Sequence, residues 1–240
     1  MKNTILILIS LLFVTGVSEG KEEGKSIGWY ENGQKEYEVN KRGGERHGPT
    51  ITWWENGQKK FEKHYKDGQL DGFSTSWIWN GQKESEQYFK DGELEGRWTE
   101  WYYNGQKKKE LNFKNGKKEG LWTRYYENGQ EKSEINYKDG RTNGRRTYWK
   151  ENGQKWLEDH YTNGKEEGLR TRYYENGQKK MEANIKDGKK DGLMTGWYKN
   201  GRKKVQGYIK KGKLEGLWTQ WDEEGNLTKT DTYKDGEVVK

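Results

Sequence analysis

The chain of 240 residues has no cysteine, three histidines and only 28% apolar residues. Each shortage excludes something. Without cysteine there is no disulfide framework and no thiol chemistry, so stability has to come from packing and hydrogen bonds. So low an apolar fraction argues against a thick globular core, since globular chains ordinarily carry about 45–50% with glycine included. Serine is also scarce, which with the absence of cysteine leaves no nucleophile and base pair to propose.

Long hydrophobic runs are equally scarce. The one present, residues 5–17, follows Lys2 and precedes Ser18-Glu19-Gly20, which places small residues at the −3 and −1 positions of a cleavage site. Residues 1–20 therefore read as a secretory signal peptide; an apolar run of 13 residues is too short for a membrane span, which needs about 20. The mature chain, residues 21–240, is expected to be exported and soluble, in the periplasm or outside the cell. The net charge of +7 is modest, and Lys and Glu alternate along nearly every segment instead of gathering on one face. That pattern points away from nucleic acid.

What the chain has in abundance is glycine, and the glycines are periodic. One column recurs every 24 residues from Gly24 to Gly216, a second from Gly33 to Gly225 and a third from Gly44 to Gly236, together 27 of the 33 glycines with no insertion or deletion. A fixed period of that length marks a repeat architecture. Residues 21–240 thus form one array of nine repeats.

Asn-Gly recurs in the second column, as at Asn128-Gly129, and Asp-Gly or Asn-Gly in the third, as at Asp139-Gly140. Both dipeptides suit a two-residue type I′ hairpin turn, in which both residues need positive φ. Two such turns leave nine and eleven residues between them and close the period of 24. Counting outward from Asn128-Gly129 pairs Trp122 with Ile135 and Gly120 with Tyr137. The surplus of the longer strand falls at the first glycine column, a predicted bulge covered by an aromatic ring. The expected fold is all-β: an elongated antiparallel sheet of about nine consecutive β-hairpins, solenoid-like.

The pattern Gly-Leu-Trp-Thr-x-Trp/Tyr-Tyr-Glu-Asn-Gly-Gln-x-Lys-x-Glu-x-x-Tyr-Lys-Asp-Gly, read at 120–140 and with drift at 216–236, resembles the MORN repeat in its bacterial variant. The resemblance runs from Gly24 to the end and implies stacked hairpins with roles in protein interaction, scaffolding or lipid contact. Some bacterial proteins of this kind carry an antitoxin label, which sits poorly with export.

Catalysis finds no support. His64 and His160 share a column four repeats apart, about 40 Å at two strands per repeat, too far for a common metal. The segment 20–26 resembles a phosphate-binding loop but is one residue short and follows no strand. Glutamates form a column, Glu38, Glu62, Glu86, Glu110, Glu134, Glu158 and Glu182, whose copies stand in like surroundings and are expected to make cross-strand pairs with lysine. Neither an enzyme, a metal nor a cofactor is predicted.

The candidate binding surface is a ladder with an aromatic in all nine repeats: Trp29, Trp53, Trp77, Trp101, Tyr125, Trp149, Tyr173, Trp197 and Trp221. Threonines two residues earlier share its strand face. Such a row can pack the sheet or present rings to a ligand. The function expected is a non-catalytic scaffold binding a protein partner, or itself, at or outside the envelope. The alternative is a ladder that binds envelope glycan or lipid headgroups. Exposure of the rings separates the two.

Overall fold

The structure, a computed structural model, describes residues 23–239. The expected leader lies outside them. The described residues form 22 strands and no helix, in one open antiparallel sheet in which each strand pairs with its neighbours in the chain. Nine repeats contribute two strands apiece. The remainder arises where the first glycine interrupts a strand, as between Lys117–Lys118 and Gly120–Tyr125, and from the short closing strand Glu237–Val238.

The two turns of each hairpin differ, and one is not the turn expected. At the third glycine column both residues have positive φ, as in Asp139 (49°) and Gly140 (80°), the type I′ geometry predicted. At the second column only the glycine does. Gly129 N donates to Tyr126 O at 3.0 Å and Tyr126 N to Gln130 O at 2.8 Å, so Glu127, Asn128 and Gly129 form a three-residue loop. This is a type I turn closed by a left-handed glycine. Asn128 is needed there for its side chain, whose Oδ1 accepts from Gln130 N at 3.0 Å, and not for a tolerance of positive φ.

The predicted register survives because a second departure cancels the first. A bulge between Arg124 and Tyr125 sets Tyr125 against Glu131 and Arg124 against Ser133, leaving Lys132 extra. Beyond it Trp122 faces Ile135 and Gly120 faces Tyr137, as counted from the sequence. The bulge at the first glycine column also stands where predicted. Asn143, Gly144 and Arg145 lie opposite Asn136, between the pairs Ile135–Arg146 and Tyr137–Thr142. Gly144 takes φ 103°, and Asn136 Nδ2 ties the bulge by donating to Arg145 O at 2.9 Å.

One face of the sheet carries the core. Leu111, Trp122, Leu157, Ala183, Ile185, Ile209 and Trp218 are buried on it. Trp98, Phe113, Trp122 and Tyr137 run as a chain of rings with centroids 6.0, 5.5 and 4.7 Å apart. The opposite face carries the ladder, with its threonines, glutamates and lysines.

Successive repeats are zipped along both rows of turns. At the Asn-Gly row, Tyr126 Oη donates to Trp149 O at 2.9 Å and Asn128 Nδ2 to Glu151 O at 2.9 Å. At the Asp-Gly row, the acid before the first glycine caps the next turn, as Glu119 Oε2 accepts from Asp139 N at 2.9 Å.

Candidate functional site

The ladder rungs share one face, but as neither an open row nor a buried one. Trp29, on the edge strand, is 54% exposed, while the other eight rungs are half-buried. A lysine of the preceding repeat covers many of the rings: Lys35 lies 5.5 Å from the Trp53 centroid, Lys59 5.7 Å from Trp77, and Lys83 5.8 Å from Trp101. Lys179 over Trp197 and Lys203 over Trp221 repeat the arrangement at 5.8 and 5.9 Å. Threonines pack beneath, and Thr75, Thr99, Thr123, Thr147, Thr171 and Thr195 are all buried.

Four of the five covering lysines are held by the glutamate column, and the fifth, Lys203, reaches Gln206 Oε1 at 3.1 Å. Lys35 reaches Glu38 at 2.9 Å, Lys59 reaches Glu62 at 2.6 Å and Lys179 reaches Glu182 at 2.5 Å, while Lys83 pairs with Glu86. Most of these pairs run along one strand and not across two, which corrects the cross-strand expectation. In an unbroken strand residues three apart face opposite sides; the extra residue of the bulge brings both to one side. Cross-strand pairing occurs at Lys25–Glu38, 2.5 Å. Across the strands the glutamates instead oppose threonine, as Glu134 does Thr123.

Where the rung is tyrosine the contacts change. Tyr125 Oη donates to Glu110 Oε2 at 3.0 Å, and Lys107 reaches the same carboxylate at 2.9 Å. Burial, with Glu110 as acceptor and nearby charge, pushes the Tyr125 hydroxyl up to about 12. Burial works to raise Glu110, yet the hydrogen bonds from Lys107 and Tyr125 outweigh it and hold the carboxyl below its ordinary range. The result at Trp53, Trp77, Trp101, Tyr125 and Trp197 is a ring, a cation and a carboxylate held together. It offers charge and ring edges to a partner, with no poised acid or nucleophile.

The two histidines of one column prove to be substitutes for asparagine. His64 Nδ1 lies 3.1 Å from Phe73 O and His160 Nδ1 3.4 Å from Leu169 O, the place that Asn136 Nδ2 takes in its own repeat. No metal-sized group of ligands occurs among the described residues. The tyrosine and asparagine zipper was missed in the sequence, although its signal, a donor column 23 residues from its acceptor, is visible there.

Comparison with known proteins bears on the whole array. No curated protein matches the chain. Among solved structures it is similar to one described as the crystal structure of TcdB2-TccC3, with 12% identity over 89% of this chain and a TM-score of 0.23. It is similar also to that of TcdB2-TccC3-Cdc42, with 11% identity over 88% and a TM-score of 0.23. The chain spans 14% of the length of either. The family model of the MORN repeat variant matches residues 22–40, 46–67, 94–115, 118–139, 166–187 and 214–235, more than half of the chain. Those six segments fall in register on the hairpins described above, and the chain belongs to the MORN repeat variant family.

Proposed function

We propose that this protein is an exported, non-catalytic scaffold whose ladder face binds a protein partner at or outside the cell envelope. MORN repeats are in general interaction repeats for proteins or membranes. The observation that favours protein here is the lysine over the ring. A sugar stacking on a tryptophan needs the open π-face, and five of the nine rungs have that face covered by an ammonium, four of these already paired with glutamate and the fifth, Lys203, with Gln206. A partner protein can read alternating Lys, Glu and ring edges without displacing them.

Self-association by continuing the sheet fits less well. The ninth repeat carries Asp222 and Glu224 where five of its eight predecessors carry both the zipper's Tyr and Asn, and the Asp222 carboxylate is taken up within its own turn, accepting from Asn226 N at 2.7 Å. Repeat 9 therefore offers neither the Tyr hydroxyl nor the Asn amide of the zipper to a strand laid against it.

The test is a double variant, Trp149→Leu with Trp197→Leu, which keeps apolar bulk and removes two rings. Retention of a purified partner from the envelope fraction should fall while the melting temperature moves little. Retention on purified peptidoglycan or polysaccharide that vanishes in the double variant would instead favour the glycan reading.

A further inference from the structure

Repeats 3 and 4 depart from the array together at the Asn-Gly row. In five repeats a lysine ammonium lies over a ring beside that turn: Lys60 over Trp54 at 4.3 Å, Lys108 over Tyr102 at 5.8 Å, Lys132 over Tyr126 at 5.2 Å, Lys180 over Tyr174 at 5.4 Å and Lys204 over Tyr198 at 5.2 Å. In repeat 3 both members are replaced, the ring by Ile78 and the lysine by Glu84. The next position of the turn, glutamate in six repeats and Lys199 in another, becomes Trp79 in repeat 3 and Tyr103 in repeat 4. These two rings are 66% and 76% exposed.

The seal between the two repeats is lost as well. Ile78 has no hydroxyl to give the Trp101 carbonyl, and Asn80 turns back on Gln82 at 3.2 Å instead of crossing to repeat 4. A cavity of about 410 Å³ opens between Ile78, Glu84, Glu100, Tyr102 and Tyr103, with Trp101 at its side. Its lysines are engaged: Lys83 with Glu86, and Lys108 over Tyr102. Glu100 is held by Lys109 at 2.7 Å. Glu84 accepts only from Ser76 Oγ at 3.1 Å and meets no basic group among the described residues. An unanswered carboxylate, the apolar Ile78 and the rings of Trp101, Tyr102 and the exposed Tyr103 together form a receptor for an ammonium or guanidinium group.

We propose that this cavity receives a lysine or arginine side chain of a partner protein, which supplies in trans the cation that five repeats hold over a ring with their own lysine. The proposal rests on the reading of the chain as a protein-binding scaffold, but its residues, Trp101 apart, are not those of the ladder.

The probes are N-acetyl-lysine methylamide and N-acetyl-arginine methylamide, with uncharged N-acetyl-norleucine methylamide and spermidine as comparisons, titrated into the full chain. The readout is the Trp101 indole and Tyr103 ring resonances, both lining the cavity, in two-dimensional NMR. The variant Ile78→Tyr with Glu84→Lys restores the array's own pair and should fold at least as well as the native chain. Saturable shifts at Trp101 and Tyr103 with the lysine and arginine probes are expected, weakened about tenfold or more in the double variant. Norleucine binding as well as lysine, or undiminished binding by the variant, would overturn the cavity. Spermidine bound more tightly than the amino-acid probes would reassign it to a free polyamine and overturn the protein partner. Once a partner is purified, its loss with Trp149→Leu/Trp197→Leu but not with Ile78→Tyr/Glu84→Lys would leave the scaffold standing and the cavity refuted. Loss with the second variant alone would uphold the cavity and refute the ladder.

Discussion

The junction between repeats 4 and 5 and the junction between repeats 6 and 7 have the same glycines and the same register, and are sealed in different ways. In the first, Tyr102 Oη donates to Tyr125 O at 2.9 Å, Asn104 Nδ2 to Glu127 O at 2.7 Å, and the Gln106 side chain lies over Gly129. In the second, Lys150 replaces the tyrosine and reaches Glu175 at 2.8 Å, Asn152 stays with its own Gln154, and nothing covers Gly177. The packed faces differ as well. Repeats 4 and 5 stack Trp98, Phe113, Trp122 and Tyr137, whereas repeats 6 and 7 bury Arg146 against Asp159 and Arg170 against Glu166. The period sets the backbone, and a few side chains per repeat set how firmly neighbours hold. In an array stabilised between nearest neighbours, such differences stay local.

The largest effect should come from the ionic half. Arg146 gives Asp159 two hydrogen bonds, Nε to Oδ1 at 2.8 Å and Nη2 to Oδ2 at 2.6 Å, and Asp159 is fully buried. Burial works to lower the Arg146 guanidinium, but Asp159 outweighs it and holds the charge firmly in place. Arg146→Met strands a buried carboxylate and should cost about 3–5 kcal/mol in chemical denaturation. Adding Asp159→Leu should recover most of it. A double variant as unstable as the single one would mean that the arginine's packing, not its charge, is what repeat 6 needs.

How much of this was legible in the sequence depended on whether a feature lived in the backbone period or in side chains reaching across it. The pairing of Trp122 with Ile135 and Gly120 with Tyr137 could be counted because a three-residue loop at Gly129 and a bulge at Lys132 compensate each other. The bulge at Gly144 could be placed because only a surplus residue explains a glycine there. The lysine over five of the rungs could not. It depends on the Lys132-type bulge, which turns residues three apart onto one face, and that bulge leaves no glycine behind. The ladder was therefore visible as a column, while its half-covered state was not.

A turn glycine tests the seal directly. Gly129 and Gly177 have φ 83° and 81°, so either change to alanine meets the same left-handed strain, about 1–2 kcal/mol. A Cβ at Gly129 would also lie 2.9 Å from Gln106 Oε1, while one at Gly177 meets nothing within 4 Å. Gly129→Ala should thus cost more than Gly177→Ala, and Gln106→Ala should abolish the difference. Equal costs in the presence of Gln106 would show that the glutamine yields freely and seals nothing.

The hydroxyl of the zipper is worth less. Tyr126→Phe leaves the Trp149 carbonyl without its donor and should cost about 0.5–1.5 kcal/mol, with amide exchange accelerated at the junction of repeats 5 and 6 alone. Acceleration along the whole array would contradict nearest-neighbour coupling.

The smallest effect concerns repeat 5, where Glu131 stands in the lysine column. Burial and the neighbouring Glu134 raise its carboxyl above the ordinary range, whereas Glu110 and Glu158 in the flanking repeats are held below it, burial there being outweighed by Lys107 and Lys155. The signs are opposite. Glu110 and Glu158 contribute stability that is complete above the ordinary carboxylate pKa and is lost as pH falls through their lowered folded values. Glu131 is destabilising while ionised, and protonation relieves it as pH falls through its raised value. Acidification below about pH 4 should therefore loosen repeats 4 and 6 and spare repeat 5, read by amide exchange corrected for intrinsic rate. Glu131→Lys should add about 0.3–1 kcal/mol near neutral pH, by pairing with Glu134 and covering Trp149 as lysines cover the other tryptophans. It should also make repeat 5 as acid-sensitive as its neighbours. If native repeat 5 already loses protection in step with repeats 4 and 6, the carboxylate pair is not setting its stability, and the contrast between the repeats lies in their packing alone.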